Sequence, residues 1–524
     1  WSGYVVHLLD QLGWILPRWM VTDYSTAHEM YQTVMSKMQG AISGGEFGEL
    51  WKSANLSSYS QADNDAFNAF VNAPQVLGLH LVFDAPALLI NVLITMLVYR
   101  GIKESRNASN AMVIVKLAVI LLVIGVGVFY IDVSNWNPFA PKGIGGVLKG
   151  VSAVFFAYIG FDAISTTAEE CEDPQRDLPR GMMWAIIICT ILYIAIALVL
   201  TGVVSYKTLR VGEPLSFVFT KINLSYLSGI ISVSAVVAMA SVLLVFQMGQ
   251  PRIWMSMSRD GLLPSRFAKV HPKYKTPSFA TVVVGFVVAV PALFMNLTMV
   301  TDLCSIGTLF AFVLVCGGVL MLQNRTDIPR GKFKTPYVNG KYIMPVLLIG
   351  TIVLFFTAFK QQTLNFVSNK EQLKTKAEMI EGLNPNQIMA LKNHLIHNKK
   401  QQFSFSKRNI DKYYQIHGSK ALVNDMEFLN LPKSHFYNYG FSHFAHKIPT
   451  WIFILFTIFI TVMTVLKNLS MIPLLGLLSC LYMMSEIKAE NWLYFFIWLA
   501  LGLVIYFGYG KRHSKLAKPA LIED

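Results

Sequence analysis

The chain has 524 residues, of which 54% are hydrophobic and only 14% are charged. This balance excludes an ordinary water-soluble protein, because a single core of this size cannot hide so much apolar surface, and it predicts a membrane protein. The formal net charge of +14 does not indicate nucleic-acid binding in such a protein. It predicts basic loops on one face of a lipid bilayer.

The beginning of the chain predicts a partial membrane span followed by a loop. Residues 1–16 start with WSGYVVHLL and are typical of the tail of a span, so we expect the start of that span to lie upstream of Trp1. Residues 17–84 are polar and rich in Asn, Ser and Gly, and they predict a water-facing loop with short helices.

Apolar segments then follow in quick succession, each near the roughly 20 residues that cross about 30 Å of hydrocarbon. We predict eleven membrane helices at about 85–99, 109–131, 147–166, 182–204, 228–250, 277–297, 301–322, 343–360, 449–466, 471–485 and 491–509. Eight form a core at 85–360 and three lie at 449–509, with a polar insertion at 361–447 and a tail at 510–524. The predicted fold class is an all-α polytopic membrane protein.

Lysine and arginine are distributed unequally between alternate loops. Counted over the short loops alone, one set, which includes the C-terminal tail, carries 21 of these residues, and the opposite set carries six. Because basic loops stay in the cytoplasm, we predict that the 17–84 loop and the 361–447 insertion are extracytoplasmic. The predicted location is the inner (cell) membrane.

The sequence offers little support for catalysis, cofactor binding or metal binding. The insertion contains six of the eleven histidines, and His394 and His397 are three residues apart, but a third ligand at metal-binding spacing is missing. The five cysteines include no CxxC pair, and no phosphate-binding loop, GxSxG or HExxH motif is present. We expect no enzyme, no cofactor and no metal, and we interpret the insertion as a solvated accessory domain.

The stretch FFAYIGFDAISTTAEE, residues 155–170, begins as an apolar membrane segment and then meets Gly160 and Asp162. A membrane helix must satisfy its backbone internally, so a glycine beside a charge is a candidate break whose freed carbonyl and N–H groups can hold a solute. At about 1.5 Å per residue, Gly160 is expected roughly 13 Å inside the cytoplasmic boundary. The alternative is an ordinary helix with a packing glycine.

Lys116 is the only charged residue between Asn107 and Ile131 and lies roughly 15 Å past Arg106 at about 1.5 Å per residue. A lysine at that depth costs at least about 2.5–3.5 kcal/mol, and such residues usually serve ion or proton pathways. The pattern predicts a proton-coupling residue. The alternative is a lysine that extends its ammonium group to the cytoplasmic boundary.

The loop after this stretch carries an acidic pair, Glu169 and Glu170, which is predicted to face a cytoplasmic surface that is otherwise basic and includes Arg252 and Arg259. Ion pairs between these groups would close the cytoplasmic side of the protein. The alternative is a solvated loop with weak surface pairs.

Three stretches resemble the amino acid–polyamine–organocation superfamily. FFAYIGFDAISTTAEE with EDPQRDLPRGM is similar to its sixth-span signature, and QPRIWMSMSRDGLLPSRFAKVHPKYKTP is similar to the stretch after its eighth span. The ending, which contains SMIPLLGLLSCLYMM, is similar to the last two spans of the fourteen-span cationic amino acid transporter branch. The resemblance covers about 1–16, 81–360 and 449–515.

This resemblance implies an inverted five-helix-repeat (LeuT-like) fold, with substrate at mid-membrane between broken first and sixth spans. It implies that Lys116 is the proton-linked lysine of the fifth span, and that the family's first three spans are missing from this sequence apart from the tail of the third. It also implies that backbone groups at the sixth-span break meet the substrate's amino group, namely those of Phe156, Ala157, Tyr158, Ile159 and Gly160.

The leading hypothesis is therefore a proton-coupled permease for amino acids, with a preference for cationic ones, that works by alternating access around the broken sixth span. Its expected partners are an amino acid, a proton and the lipid bilayer, and not nucleic acid. The alternative is an amino-acid-sensing membrane receptor or complex scaffold that uses the same fold without net transport.

Overall fold

The computed structural model describes residues 1–39, 61–76, 78–101, 106–141, 143–165, 171–209, 213–323, 325, 335–374, 379, 383, 387, 390–391, 394, 422–445, 447–487 and 489–515. All structural statements below refer to these residues.

The N-terminal region begins with α1 (Ser2–Gln11). A small helical unit follows, which consists of α2 (Tyr24–Gln39), α3 (Gln61–Val71) and a short antiparallel hairpin of β1 (Gln75–Val76) and β2 (Leu79–His80). The α2–α3 interface is apolar, with a buried cluster of Ala27, Ala69, Phe70, Ala73 and Val82.

The membrane region follows in two blocks of helices. The first block contains α4 (Ala85–Arg100), α5 (Arg106–Gly127), α6 (Gly143–Phe155), α7 (Pro174–Val203), α8 (Pro214–Lys221), α9 (Ser225–Arg259), α10 (Ser278–Phe294), α11 (Leu297–Leu322) and α12 (Gly340–Ala358). The insertion contains α13 (Lys360–Val367), α14 (Lys433–Phe436) and α15 (Gly440–Ala445). The second block contains α16 (Ile448–Lys467), α17 (Met471–Ser485), α18 (Ala489–Ile505) and the short α19 (Lys511–His513). Short strands β3 (Gln372–Leu373) and β4 (Tyr437–Asn438) also belong to the insertion.

The apolar helices confirm the predicted fold class. Among the described residues, eight helical segments are long and apolar enough to cross a membrane, and α4, α10 and α17 are apolar but shorter. Each of the eleven segments predicted from hydropathy overlaps one of these helices. The fold is therefore all-α and polytopic, as the sequence predicts.

Side-chain caps fix where several membrane helices begin. Asp84 accepts a hydrogen bond from the backbone N–H of Ala87 at 2.9 Å and starts α4. Asn296 does the same for the N–H of Met299 at 2.8 Å and starts α11. These contacts satisfy N–H groups that a helix start leaves without an internal partner. At the other end of α4, Gly101 takes a φ of 70°, which glycine adopts without strain.

Small residues let the membrane helices approach one another closely. Gly285 of α10 lies against Thr95 of α4, where an added Cβ atom would come within 2.7 Å of the threonine side chain, and Asn91 donates a 2.9 Å hydrogen bond to the Gly285 carbonyl. Gly476 of α17 meets Cys316 of α11 in the same way, at 3.1 Å. Such contacts replace the hydrophobic effect, which does not hold helices together in lipid.

The insertion has a small core of its own. Its start and end are joined because β3 pairs with β4, and Lys447 donates a 3.0 Å hydrogen bond to the side chain of Asn369. The ring of His435 forms a 2.8 Å hydrogen bond with the Met379 carbonyl, and burial lowers the pKa of this histidine below its usual value. The buried apolar side chains are Met379, Leu383, Leu391, Leu422, Met426 and Phe436.

The end of the last membrane helix packs against the turn after α9. The helix widens to a π-turn over Tyr506–Gly510. Gly261 has a φ of 82°, and a Cβ atom at this position would collide with the backbone oxygen of His513. The N–H of Lys515 donates a 3.1 Å hydrogen bond to the carbonyl of Asp260. A glycine is therefore required where the two segments meet.

Candidate functional site

The backbone of the sixth-span stretch changes conformation in the middle of an apolar segment. The helix α6 ends at Phe155, a 3-10 turn covers Phe156–Tyr158, and Ile159 is extended, with φ −61° and ψ 132°. Gly160 then has a φ of 122°, which L side chains rarely adopt. The chain returns to a 3-10 turn at 162–165. The sequence locates this break correctly, although regular α-helix ends five residues before the glycine.

The residues after the glycine form a turn that is closed by local hydrogen bonds. The N–H of Gly160 donates to the Asp162 carboxylate at 3.1 Å, and the N–H of Ala163 donates to the Gly160 carbonyl at 3.1 Å. The hydroxyl of Ser165 donates to the Asp162 carbonyl at 2.6 Å. The charged residue beside the glycine thus satisfies a backbone N–H group that the helix break has freed.

A tyrosine from the next helix occupies one carbonyl of the break. The hydroxyl of Tyr193, on α7, donates a 2.8 Å hydrogen bond to the carbonyl oxygen of Ala157. The ring of Tyr193 also contacts the ring of Tyr158 edge-on, with centroids 5.2 Å apart and planes at 85°. Helix α7 therefore supplies both a polar and an aromatic contact to the broken segment.

Aromatic side chains from two further helices line the break. Phe312 of α11 packs against Phe155 and Phe161, with ring centroids 6.3 Å and 5.6 Å away. Phe246 of α9 lies close to Gly160, since a Cβ atom on the glycine would be 3.4 Å from its ring. The break thus has aromatic rings beside it, and the faces of such rings attract cations.

Lys116 lies on α5 and reaches across to α9. Its ammonium group donates a hydrogen bond to the hydroxyl of Ser241, which in turn donates to the Ala238 carbonyl at 2.8 Å. The lysine side chain is partly buried. Its ammonium group therefore binds a neighbouring helix, and its proton-coupling role stays a prediction.

Helix α9 connects the lysine to the break. Ser241, which binds Lys116, and Phe246, which lies against Gly160, are five residues apart on this helix. Five residues correspond to roughly 7.5 Å along a helix axis. One short stretch of α9 therefore makes both contacts.

The predicted cytoplasmic gate is described only in part. Arg252 and Arg259 lie in the last turns of α9, where Arg252 is partly buried and Arg259 is exposed. Glu169 and Glu170 lie outside the described residues, so the gate stays a prediction. Across the described ranges, no group of three or more His, Cys, Asp or Glu side chains is placed to hold a metal ion.

The local sequence pattern does not reveal three of the site residues. Tyr193, Ser241 and Phe246 lie 36, 125 and 86 residues from the backbone or side-chain groups that they contact. Each is an unremarkable member of an apolar helix. For Tyr193 and Ser241 the available signal is a hydroxyl group within a membrane span, which needs a hydrogen-bond partner where water is absent. Phe246 offers no such signal.

The helices and the discontinuous span together define an integral membrane protein of the transporter class, in which broken helices form solute sites at mid-membrane. A family model described as amino acid permease matches residues 54–380, and a model described as the C-terminus of this permease matches residues 469–514. The chain belongs to the amino acid permease family. This assignment confirms the resemblance that the sequence motifs indicate.

Several curated proteins are similar to this chain. The methylthioribose transporter of Bacillus subtilis (strain 168) is 41% identical over 317 residues, which are 59% of this chain and 68% of that protein. The branched-chain amino acid permease BcaP of the same organism is 43% identical over 276 residues, 52% of this chain and 58% of that protein. The chloroplastic cationic amino acid transporter 9 of Arabidopsis thaliana is 37% identical over 285 residues, 52% of this chain and 50% of that protein. The chain thus spans between half and about two thirds of the length of these relatives.

Proposed function

We propose that this chain is the larger part of a secondary active transporter that moves amino acids across the inner (cell) membrane by alternating access. Substrate would bind at the break in the sixth span, where the backbone of Phe156–Gly160 meets its amino group. Protons would drive the cycle through Lys116.

One observation carries this proposal, which is the break itself. Between Phe155 and Gly160 the regular α-helix gives way to a short turn and an extended residue, so carbonyl groups lose their partners within the helix. A carbonyl oxygen that lies near aromatic rings is a suitable acceptor for an ammonium group. Membership of the amino acid permease family supports the same solute class.

The relatives leave three substrate classes to compare. Their names include a methylthioribose transporter, a branched-chain amino acid permease and cationic amino acid transporters. We propose cationic amino acids because several of the similar proteins are named as cationic amino acid transporters, and because the faces of aromatic rings attract cations. The test is uptake of labelled L-arginine by the complete protein in proteoliposomes, in competition with unlabelled L-arginine, L-leucine and methylthioribose. Saturable uptake of labelled methylthioribose, without saturable uptake of labelled L-arginine or L-leucine, would refute an amino acid substrate.

Lys116 is proposed as the proton-linked residue because its ammonium group lies between two membrane helices. In the charged form it donates to Ser241 on α9. A deprotonated lysine would bind Ser241 less strongly, so loss of the proton would loosen the link between α5 and α9. Protonation and the position of α9 beside the break would then be coupled.

The insertion supports a second candidate function, an amino-acid-sensing receptor or complex scaffold. Its own apolar core and its paired ends, β3 with β4, are features of a unit that could hold a partner. Because the ends are adjacent, residues 368–445 can be replaced by a short linker with little strain on α13 and α16. A transporter should keep a measurable part of its uptake after this deletion. If the complete protein shows no uptake, and the deletion abolishes binding of a partner or a signalling response, the receptor function is favoured.

A further inference from the structure

The carbonyl of Ala157 is the one backbone acceptor of the break that has a described side-chain partner from another helix. The carbonyl of Phe156 is used locally, since it accepts a 3.1 Å hydrogen bond from the N–H of Ile159. The Ala157 oxygen instead accepts the hydroxyl of Tyr193 at 2.8 Å. This acceptor lies within the segment proposed to meet the substrate's amino group.

The donor is well suited to leave. A tyrosine ring turns about two side-chain torsions, so the hydroxyl of Tyr193 can withdraw without any change in the backbone of α7. Its ring has a second contact that can hold it nearby, the edge-on packing with Tyr158 at 5.2 Å. The side chain of Tyr193 is 38% exposed among the described residues, so neighbouring protein side chains do not enclose it.

We propose that Tyr193 is a positioning residue of the substrate site. Its hydroxyl occupies the Ala157 carbonyl while the site is empty and yields that oxygen to the ammonium group of the incoming substrate. The inference rests on the proposed function, and it adds a selection rule. A neutral hydroxyl donor is exchanged for a charged one, which forms a stronger hydrogen bond, so ligands with a free amino group are favoured over those without one.

The same contact has a purely structural explanation, in which Tyr193 only satisfies a carbonyl that the broken helix leaves open. The two explanations predict opposite effects of removing the hydroxyl group. If the hydroxyl only caps the broken helix, its removal destabilises the site and weakens ligand binding. If the hydroxyl competes with the substrate for the Ala157 carbonyl, its removal strengthens the binding of a ligand that carries an amino group.

The test is Tyr193→Phe in the complete protein, in nanodiscs, with L-arginine as the probe. Because one neutral hydrogen bond is removed from the empty state, we expect the dissociation constant to fall about two- to tenfold. Tyr206→Phe is the matched control, since Tyr206 lies on the exposed loop after α7 and should leave the constant unchanged. An unchanged or raised dissociation constant for Tyr193→Phe, at unchanged melting temperature, would overturn the proposal.

A second measurement keeps the wild-type fold. A 3-fluorotyrosine introduced at position 193 reports the environment of the hydroxyl through its ¹⁹F resonance. Saturating L-arginine should shift this resonance, whereas δ-guanidinovalerate, which is arginine without its α-amino group, should not. The absence of a shift with bound L-arginine, or the same shift with both ligands, would overturn the proposal.

These outcomes also separate the inference from the proposed function. If wild-type protein neither binds nor takes up L-arginine, L-leucine or any other amino acid, the proposed function fails and the inference fails with it. If wild-type protein transports an amino acid and Tyr193→Phe binds it no more tightly, the role of Tyr193 alone is wrong.

Discussion

The substitution Gly160→Ala tests the break most sharply, because the perturbation is confined to the backbone. With a φ of 122°, Gly160 adopts a conformation in which any Cβ atom is strained. The space around it is adequate, since the added atom would lie 3.4 Å from Phe246, an ordinary contact distance. The cost is therefore the backbone strain of about 1–3 kcal/mol. That range corresponds to a population change of roughly 5- to 150-fold away from the broken conformation.

The assay is initial-rate uptake of L-arginine by reconstituted complete protein, together with the melting temperature in detergent. We expect Gly160→Ala to lower uptake by at least about fivefold, the low end of that strain. The control is Gly150→Ala in the preceding helix, because Gly150 lies inside α6 with nothing within 4 Å of an added Cβ atom. Alanine favours a helix there. Equal uptake by both variants and wild type would show that the broken conformation is not needed.

Three further predictions concern the scaffold around the site. Gly261→Ala should displace the 511–515 segment, because the added Cβ atom would collide with the His513 backbone and because an alanine at a φ of 82° costs about 1–2 kcal/mol. The measurement is hydrogen exchange of the 511–515 segment, which should become faster in this variant and not in the control variant Gly249→Ala. Unchanged exchange in Gly261→Ala would contradict this prediction. Asp84→Ala removes the cap of α4 and should lower stability by about 1 kcal/mol, whereas Asp84→Asn should restore most of it; a thermal shift assay compares the two, and equal loss in both variants speaks against the cap. Burial lowers the pKa of His435 in the folded insertion below its ordinary value of 6.5, so the unfolded insertion binds the proton more readily than the folded one. The stability that the neutral ring contributes is therefore fully present above pH 6.5 and is lost as the pH falls through the lowered pKa. After correction for its intrinsic pH dependence, hydrogen exchange over 422–445 should therefore become faster as the pH is lowered from 7.5 to 5.5. A corrected exchange rate that stays the same would contradict this prediction.

The sequence predicts those parts of the fold that depend on local composition. Runs of apolar residues place the membrane helices, because lipid selects for them without regard to tertiary neighbours. A glycine next to a carboxylate places the break at residue 160, because both residue types act on the backbone within a few positions. An isolated lysine at residue 116 identifies an internal charge for the same reason.

The ends of the membrane helices are less predictable than their positions, because a helix can continue past the end of its apolar segment into charged and polar residues. The span expected over 182–204 begins at Pro174, and the one expected over 228–250 continues to Arg259, past the proline at residue 251. In water the helices continue with polar residues, for which hydropathy gives no signal. Pro174 lies in the first turn, where a missing N–H group costs nothing.

The partners of the site are not predictable from local pattern at all. Tyr193, Ser241 and Phe246 reach the break or Lys116 through packing between helices that are far apart in the chain. Nothing in the sequence around each of them differs from an ordinary membrane helix. Only the three-dimensional arrangement shows that α7 supplies the donor for the Ala157 carbonyl and that α9 supplies the acceptor for Lys116.

The most direct test of proton-coupled transport is the response of L-arginine uptake to an imposed pH gradient. The complete protein is reconstituted into proteoliposomes as wild type, as Lys116→Ala, and as Lys221→Ala, which removes an exposed lysine at the end of α8. We expect an inwardly directed proton gradient to drive accumulation in wild type and in the Lys221→Ala variant, and to have no effect in Lys116→Ala. Gradient-driven accumulation that persists in full in Lys116→Ala, or wild-type uptake that ignores the gradient, would contradict proton coupling through Lys116.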